Sequence, residues 1–266
     1  MDIVKRIENF YNQYKGEKFV IGKSFLGRDL YCIKVSFSLQ PVIICQYAIH
    51  AREHITALLA IEHIKSYVKN GKIGTVYFIP LLNPDGVYIA QHESPLYKAN
   101  AREVDLNVNF DARWGKGEKN QFERSSENFV GEYPFSEPET QALRDFTIKI
   151  NPSLTISYHA KGEEIYYEFF QDEVRKMRDY NLAKIVADST NYKIKSTPNS
   201  CGGYKDWCIE QLKIPALTIE VGSDNLSHPI GKKHLAKIFN RTKMVLPRVT
   251  RFLKEENEDK IHEERH

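Results

Sequence analysis

His50 and Glu53 are the first side chains in the sequence whose types and spacing suggest chemistry. An apolar run from Pro41 to Ile49 has the character of a buried strand and stops at His50. From Glu53 onward, apolar residues recur at steps of three and four positions, which is typical of a helix. Both side chains are therefore expected in a strand-to-helix turn, where α/β sheets bind their ligands. An imidazole and a carboxylate at this spacing can bind one zinc ion.

The same stretch allows a second interpretation, because His50, Glu53 and His54 also form the pattern His-x-x-Glu-His. In the inverted zincin motif, both histidines bind zinc and the Glu acts as the base. That interpretation requires both histidines on one helix, whereas here an apolar strand runs directly into His50. A short motif of this kind also occurs by chance. The position of the third ligand decides between these possibilities.

Two further polar residues lie at predicted strand ends. His159 ends one apolar run, and Glu220 lies near the end of another. Because the ends of neighbouring strands meet at one edge of such a sheet, both are expected near His50. Two imidazoles and one carboxylate form the ligand set of a catalytic zinc with an open position for water. We therefore predict that His50, Glu53 and His159 bind one Zn²⁺, with Glu220 as the general acid/base.

The elements that must position these residues alternate between strands and helices. Strands are predicted at 18–21, 30–36, 41–49, 75–80, 153–158 and 215–221, and helices at 2–14, 53–69, 136–150, 171–189, 204–212 and 229–254. This alternation predicts a single-domain α/β fold with a mixed, largely parallel twisted sheet and helices on both faces. The stretch 91–136 has no regular pattern, and irregular segments of this length are more often functional than idle.

Length and composition are those of one large globular domain. The chain has 266 residues, of which 41% are hydrophobic and 27% charged, and these proportions are ordinary for a soluble protein. We predict a catalytic domain over residues 1–254 and a charged C-terminal tail over residues 255–266. His262 and His266 in that tail are not expected to be ligands.

Charge and hydropathy argue against several classes of partner. The net charge is only +3, and no basic stripe with interleaved aromatic residues is present, so nucleic acid is not an expected partner. No apolar run is long enough to span a membrane, and the first ten residues lack the apolar centre of a signal peptide. The four cysteines fit neither a disulfide framework nor a zinc knuckle. These features predict a cytoplasmic location.

Seven segments, in this order and spacing, resemble the zinc carboxypeptidases of the carboxypeptidase A type. They are 50–53, 82–87, 104–107 with 109–110, 135–140, 157–159, 202–203 with 206–207, and 218–220. The resemblance extends from about residue 20 to residue 250. It implies a zinc peptidase in which His50, Glu53 and His159 hold the metal and Glu220 is the general acid/base.

The resemblance assigns further roles by position. Asp105 falls where the family keeps a carboxylate on the first histidine ligand, and such a partner fixes the tautomer of the ring. Asn107 falls where the family binds the terminal carboxylate of the substrate. The transition-state arginine normally follows a Trp, but here Lys98 follows Tyr97. Either Lys98 or Arg102 is therefore expected to supply that positive charge.

Two departures from the family pattern concern substrate binding. The family usually has an Arg after the Asn, where it pairs with a C-terminal carboxylate, but here the residue is Val108. Pro198 occupies the place of the family's mobile capping Tyr. Tyr204 is the nearest aromatic hydroxyl that can replace it.

These departures indicate a subgroup. Segments 97–102, 104–108 and 202–207 resemble the bacterial γ-D-glutamyl-meso-diaminopimelate peptidases, which cleave the γ-D-glutamyl bond of cell-wall peptides. Lys205 aligns with the position that selects the side chain of the leaving residue. A cation there suits a side chain that ends in a carboxylate. The resemblance thus implies a small peptidoglycan stem peptide as the substrate.

Two other functions remain open at this point. A zinc carboxypeptidase or amide hydrolase of the same fold, such as a deglutamylase or an N-acyl amino acid hydrolase, would use the same metal site on another substrate. A binding module that has lost catalysis would keep only the pocket. The presence of all four residues of the predicted centre, His50, Glu53, His159 and Glu220, argues against the binding module.

Overall fold

The computed structural model describes residues 2–263, and the side chains of residues 2–258. The strands are β1 (Lys18–Lys23), β2 (Asp29–Ser36), β3 (Val42–Tyr47), β4 (Thr75–Ile79), β5 (Leu154–His159), β6 (Glu164–Tyr166), β7 (Lys193–Ile194) and β8 (Ala216–Glu220). The α-helices are α1 (Ile3–Gln13), α2 (Ile55–Asn70), α3 (Pro84–His92), α4 (Pro138–Ile150), α5 (Glu173–Thr190), α6 (Tyr204–Glu210), α7 (Leu235–Thr242) and α8 (Val245–Glu263). None of these helices is both long and apolar enough to cross a membrane.

The strands form one eight-stranded sheet in the order β1-β2-β4-β3-β5-β8-β6-β7. The central strands β4, β3, β5 and β8 run parallel to one another. Strands β1 and β2 are antiparallel to their neighbours, as is β6 to β8. The predicted mixed, largely parallel sheet is therefore confirmed.

Side chains of the central strands enter two separate hydrophobic cores. In β3, Ile43 and Cys45 belong to the core that also contains residues of α2 and α8. Ile44 points to the opposite face and joins residues of α4 and α6. Because successive side chains of a strand alternate in direction, both faces of β3 are buried under helices, as predicted.

The register of the central strands places the predicted site residues at one edge. Tyr47 at the end of β3 pairs with Tyr158 of β5. In the next pair of strands, His159 lies beside Glu220. The carboxyl ends of β3, β5 and β8 therefore meet, which is the arrangement expected for a ligand site in an α/β sheet.

Three elements of the structure were not predicted from the sequence. Helix α3 was not predicted, although Pro84 is at its first turn and the Asn83 side chain caps it by accepting from the amide of Gly86 (2.9 Å). The short strands β6 and β7 were also missed, since two or three residues carry no periodic signal.

The predicted final helix at 229–254 is two helices, α7 and α8. Pro247 lies in the first turn of α8, and its ring excludes an unbroken helix because it would clash with the carbonyl of Lys243. Helix α8 continues to Glu263, so the described part of the predicted tail is helical. Residues 264–266 lie outside the described residues, and the division of the chain after residue 254 stays a prediction.

His63 of α2 is buried between β3 and α7, and both of its ring nitrogens are hydrogen-bonded. Its Nδ1 lies 2.9 Å from the Tyr47 hydroxyl, and its Nε2 lies 2.8 Å from Thr242 Oγ1. Burial lowers the pKa of His63 to about 3. The folded protein therefore keeps this ring neutral at pH values where the unfolded chain binds a proton.

We expect His63 to make the protein less stable as the pH falls from about 6.5, the ordinary histidine pKa, toward 3. Over that window the free energy of unfolding should fall by about 1.4 kcal/mol per pH unit from this residue alone. The variant His63→Asn should lose that component of the slope, as measured by urea unfolding with a chelator present. The exposed His92→Asn variant is the matched control, and equal slopes in wild type and His63→Asn would contradict the prediction.

Candidate active site

The turn after β3 directs His50 and Glu53 toward the sheet edge. Ala48 takes a left-handed conformation (φ 51°) that residues other than glycine rarely adopt. His50 is extended, and Ala51–Glu53 form one turn of 3-10 helix before α2. Thr56 Oγ1 accepts from the amide of Ala48 and donates to the carbonyl of Glu53, both at 2.9 Å. This hydroxyl therefore fixes the turn from both ends.

Three buried side chains, His50, Glu53 and His159, converge at that edge. Nδ1 of His50 lies 2.8 Å from Glu53 Oε1, and Nδ1 of His159 lies 3.2 Å from Glu53 Oε2. The two Nδ1 atoms are 3.1 Å apart. Ligand atoms at ~2.0–2.1 Å from a tetrahedral zinc ion lie ~3.3 Å from one another. The donor set and its spacing fit zinc.

Asp105 holds His50 from the other side. Its Oδ1 lies 3.2 Å from His50 Nε2, which favours the proton on Nε2 and leaves Nδ1 free as a ligand. The fully buried carboxylate also pairs with Lys98 Nζ at 2.7 Å. Burial alone would raise the pKa of Asp105, but Lys98 and His50 together hold it well below its usual range. Asp105 therefore remains ionised at neutral pH.

Backbone contacts fix the loop of Lys98 against the turn of His50. The amide of Ala51 donates to the Lys98 carbonyl (3.0 Å). The Asn83 side chain donates to the carbonyls of Ile49 and Ala99, both at 3.0 Å. At Gly86 a Cβ would lie 2.2 Å from the Ala99 carbonyl oxygen, so only glycine permits this close approach. The segment Asn83–Gly86 thus acts as a brace between the two loops.

Glu220 lies beside His159 at the end of β8 and keeps part of its surface accessible. Burial and, next, the nearby Glu53 carboxylate raise the pKa of Glu220 to about 8, against the opposing effects of His159 and Lys98. A carboxyl group that can hold or release a proton near neutral pH is suited to general acid/base catalysis.

A cavity of about 390 Å³ opens next to His50. This volume lies within the range of roughly 300–1,000 Å³ that is usual for small-molecule sites. Most of the residues that line the cavity have polar side chains, and the lining consists of His50, Lys98, Asn107, Val108, Gly117, Glu118, Lys119, Asn120, Asn128, Thr197, Pro198, Asn199, Ser200 and Cys201. Three residues singled out from the sequence, Lys98, Asn107 and Val108, are therefore together at this wall.

Arg102 is not part of the cavity wall. Its guanidinium lies 3.3 Å from a carboxylate oxygen of Glu132 and 3.8 Å from one of Glu137, and it stacks over the ring of Phe25. Of the two candidates for the transition-state cation, the structure brings only Lys98 next to His50.

The positions of Tyr204 and Lys205 correct two predictions about substrate binding. The ring of Tyr204 is fully buried and its hydroxyl is hydrogen-bonded to Thr147 Oγ1 (2.8 Å), so it cannot cap a substrate. The Lys205 amine is bonded to Asp206 (2.5 Å) and to the carbonyl of Glu168 (2.7 Å), and Lys205 does not line the cavity. The cation that was expected to select the substrate therefore lies outside the cavity lining.

Seven polar residues of the cavity wall were not identified from the sequence, namely Glu118, Lys119, Asn120, Asn128, Thr197, Asn199 and Ser200. The first four belong to the irregular stretch 91–136. The length of that stretch was the only sequence signal for them, and it did not identify individual residues.

His54 does not join the metal group. It lies at the beginning of α2, and burial lowers the pKa of His54 to about 4. Among the described residues, the group of side chains able to hold a metal contains His50, Glu53 and His159. His50 is on an extended segment, so the inverted zincin interpretation, which needs both histidines on a helix, does not fit.

Comparison with known proteins agrees with this geometry. The model of the zinc carboxypeptidase family matches residues 3–260, so the chain belongs to that family. The family uses zinc, and the His50–Glu53–His159 group fits that ion. Zinc is therefore the cofactor, and the chain is a metallopeptidase.

Individual relatives are more distant. The chain is 24% identical to gamma-D-glutamyl-L-diamino acid endopeptidase 1 of Lysinibacillus sphaericus over 87% of its own length, and it spans 66% of that relative. Bovine thrombin-activatable fibrinolysis inhibitor has the same fold, with a TM-score of 0.83, 21% identity and 96% of both chains covered. The murein-tripeptide amidase MpaA of Escherichia coli O157 gives a TM-score of 0.62 and 23% identity over 86% of this chain and 92% of the amidase.

We expect His159→Ala to lose zinc and peptidase activity together, because it removes one of three ligands from a closely spaced group. Zinc content measured by plasma mass spectrometry should fall from about one equivalent to near zero after dialysis. His54→Ala is the matched control and should keep its zinc. Retention of one equivalent by His159→Ala, with loss in His54→Ala, would restore the inverted zincin interpretation.

Proposed function

We propose that this protein is a zinc peptidase that hydrolyses the γ-D-glutamyl-meso-diaminopimelate bond of peptidoglycan-derived peptides. The observation that carries the proposal is the polar cavity beside His50, in which Val108 stands where the family usually has an arginine. A guanidinium binds a carboxylate through two parallel hydrogen bonds, and a valine side chain offers none. The usual clamp on the C-terminus of a peptide is therefore reduced to Asn107.

The charge of the cavity wall favours a polar leaving residue. Besides His50, its basic residues are Lys98 and Lys119, and Lys98 is already paired with Asp105. Diaminopimelate ends in an ammonium and a carboxylate, so its side chain matches a wall of amides and opposite charges better than an apolar residue does. The names of the Lysinibacillus endopeptidase and the Escherichia coli amidase, which concern diamino acids and murein tripeptides, support this substrate class.

The chain's own residues supply the proton transfers. His50, Glu53 and His159 would hold zinc, which would lower the pKa of a water molecule and polarise the scissile carbonyl. Glu220 accepts the proton of the attacking water and delivers it to the leaving amino group. Its raised pKa lets the same carboxyl group serve in both steps.

Lys98 supplies the positive charge for the developing oxyanion in this proposal. Burial alone would lower the pKa of Lys98, but the Asp105 carboxylate raises it above its ordinary value. The amine is therefore permanently charged. Only 15% of the side chain is exposed, so its field acts in a poorly solvated region where electrostatic stabilisation is strong.

The substrate assignment predicts that L-Ala-γ-D-Glu-meso-diaminopimelate is cleaved well and that the L-lysine analogue, which lacks the distal carboxylate, is cleaved about ten- to a hundredfold less efficiently. Mass spectrometry of the products with and without a chelator measures this directly. Glu220→Gln should reduce turnover by about 10²–10⁴-fold and controls for contaminating peptidases. Release of C-terminal residues from ordinary peptides, with neither tripeptide cleaved, would favour a carboxypeptidase or another amide hydrolase instead.

The role given to Lys98 predicts different results for variants at Lys98 and at Arg102 when both are assayed on the diaminopimelate tripeptide. Lys98→Met should reduce kcat by about 10²–10³-fold, the usual loss for an oxyanion donor, and Lys98→Arg should recover part of it. Arg102→Met should keep kcat within a few fold. Thermal melting must accompany the assay, because an unpaired buried Asp105 costs about 3–5 kcal/mol. The reverse order of the two kcat losses would assign the role to Arg102.

A further inference from the structure

Two loops meet at the end of the cavity that is lined by Asn107 and Val108. One loop contributes Gly117–Asn120, and the other contributes residues 197–201. The amide of Glu118 donates to the Asn199 carbonyl (3.0 Å), and Asn199 Nδ2 donates to Glu118 Oε2 (2.9 Å). This reciprocal pair holds the loops together and fixes the carboxylate of Glu118 at the wall.

Glu118 and Lys119, which carry opposite charges at this end of the cavity, form no ion pair with the other residues whose side chains are described. Within the part of the chain whose side chains are described, no carboxylate lies within ion-pair distance of Lys119. The second oxygen of Glu118, Oε1, likewise has no donor among those residues. Glu118 and Lys119 are thus consecutive, exposed residues of the cavity lining, and each keeps free hydrogen-bonding capacity for a ligand.

The leaving residue of the substrate reaches this end in the proposed function. Asn107 and Val108 occupy the places where the family binds the terminal carboxylate of the leaving residue, and they lie on the same wall as Glu118 and Lys119. In the proposed function, the side chain of that residue extends toward the two loops. Lys205, which is held by Asp206 and the Glu168 carbonyl, is not available to meet it.

We propose that Lys119 and Glu118 recognise the distal amino acid centre of the leaving diamino acid. Lys119 pairs with its carboxylate, and Glu118 accepts from its ammonium. The inference rests on the proposed function. It adds a pair of residues that together require an ammonium and a carboxylate on the same distal carbon of the leaving residue. The recognised group is a zwitterion, so a side chain that carries only one of the two charges satisfies half of the pair.

Three tripeptides separate the two contacts, since they end in meso-diaminopimelate, L-lysine or L-2-aminopimelate. Lysine keeps the distal ammonium, and aminopimelate keeps the distal carboxylate. Lys119→Met should reduce kcat/KM about ten- to a hundredfold on the two carboxylate-bearing substrates and leave the lysine substrate unchanged. Glu118→Gln should reduce kcat/KM on the two ammonium-bearing substrates and leave aminopimelate unchanged.

Two variants in the same loop provide matched controls. Lys116→Met and Glu123→Gln remove the same charges from exposed residues that do not line the cavity, and they should not change the substrate ratios. Calorimetric binding of free meso-diaminopimelate to wild type and to Lys119→Met gives a second readout that does not depend on turnover, with weaker binding expected in the variant.

The outcomes distinguish this inference from the proposed function. If wild type cleaves the diaminopimelate tripeptide but Lys119→Met and Glu118→Gln keep the wild-type substrate ratios, the two residues are not the specificity pair and only this inference is overturned. If wild type cleaves none of the three tripeptides, the proposed function fails and the inference fails with it. Ratios that change equally in the Lys116→Met control would also overturn it, because the effect would then be one of overall charge.

Discussion

The active site depends on the compensation of buried charge. The carboxyl groups of Glu53, Asp105 and Glu220 lie near the ammonium of Lys98. Glu53 and Asp105 are held ionised, so at least one negative charge is left over when the imidazoles are neutral. Charge removed from water is costly unless it is paired or bound to a metal. A divalent cation at the His50–Glu53–His159 group restores the balance. The imidazoles and Lys98 outweigh burial and lower the pKa values of Glu53 and Asp105, whereas burial dominates at Glu220 and raises its pKa.

The fold supplies this arrangement through strand register and through side chains that hydrogen-bond to the backbone. Parallel register brings His159 and Glu220 side by side, and the Thr56 hydroxyl closes the turn that carries the other two ligands. Asn83 and Gly86 then tie that turn to the loop of Lys98. The metal centre is thus braced on rigid strand ends. The wall of the cavity is built largely from segments outside the strands and α-helices, among them 117–120 and 197–201.

Much of the centre was determined by the sequence alone. Each ligand is adjacent to a buried strand, and hydrophobic periodicity shows where such strands end, so the meeting of His50, Glu53, His159 and Glu220 follows from the rule that parallel strands end at one edge. The same patterns specified the mixed sheet and its two layers of helices. Asp105 was found by its position in the family motif, and the structure places it on His50.

Only the tertiary structure decided which other side chains reach the cavity. Lys98 and Arg102 are close in sequence, but Lys98 is held by buried Asp105 whereas Arg102 turns toward Glu132. A loop has no periodicity from which the direction of a side chain can be read, and long-range partners determine it instead. Tyr204 and Lys205 were placed in the site by position, yet packing buries one and an adjacent carboxylate holds the other. The sequence therefore determined the residues at strand ends, and tertiary contacts determined the residues on loops.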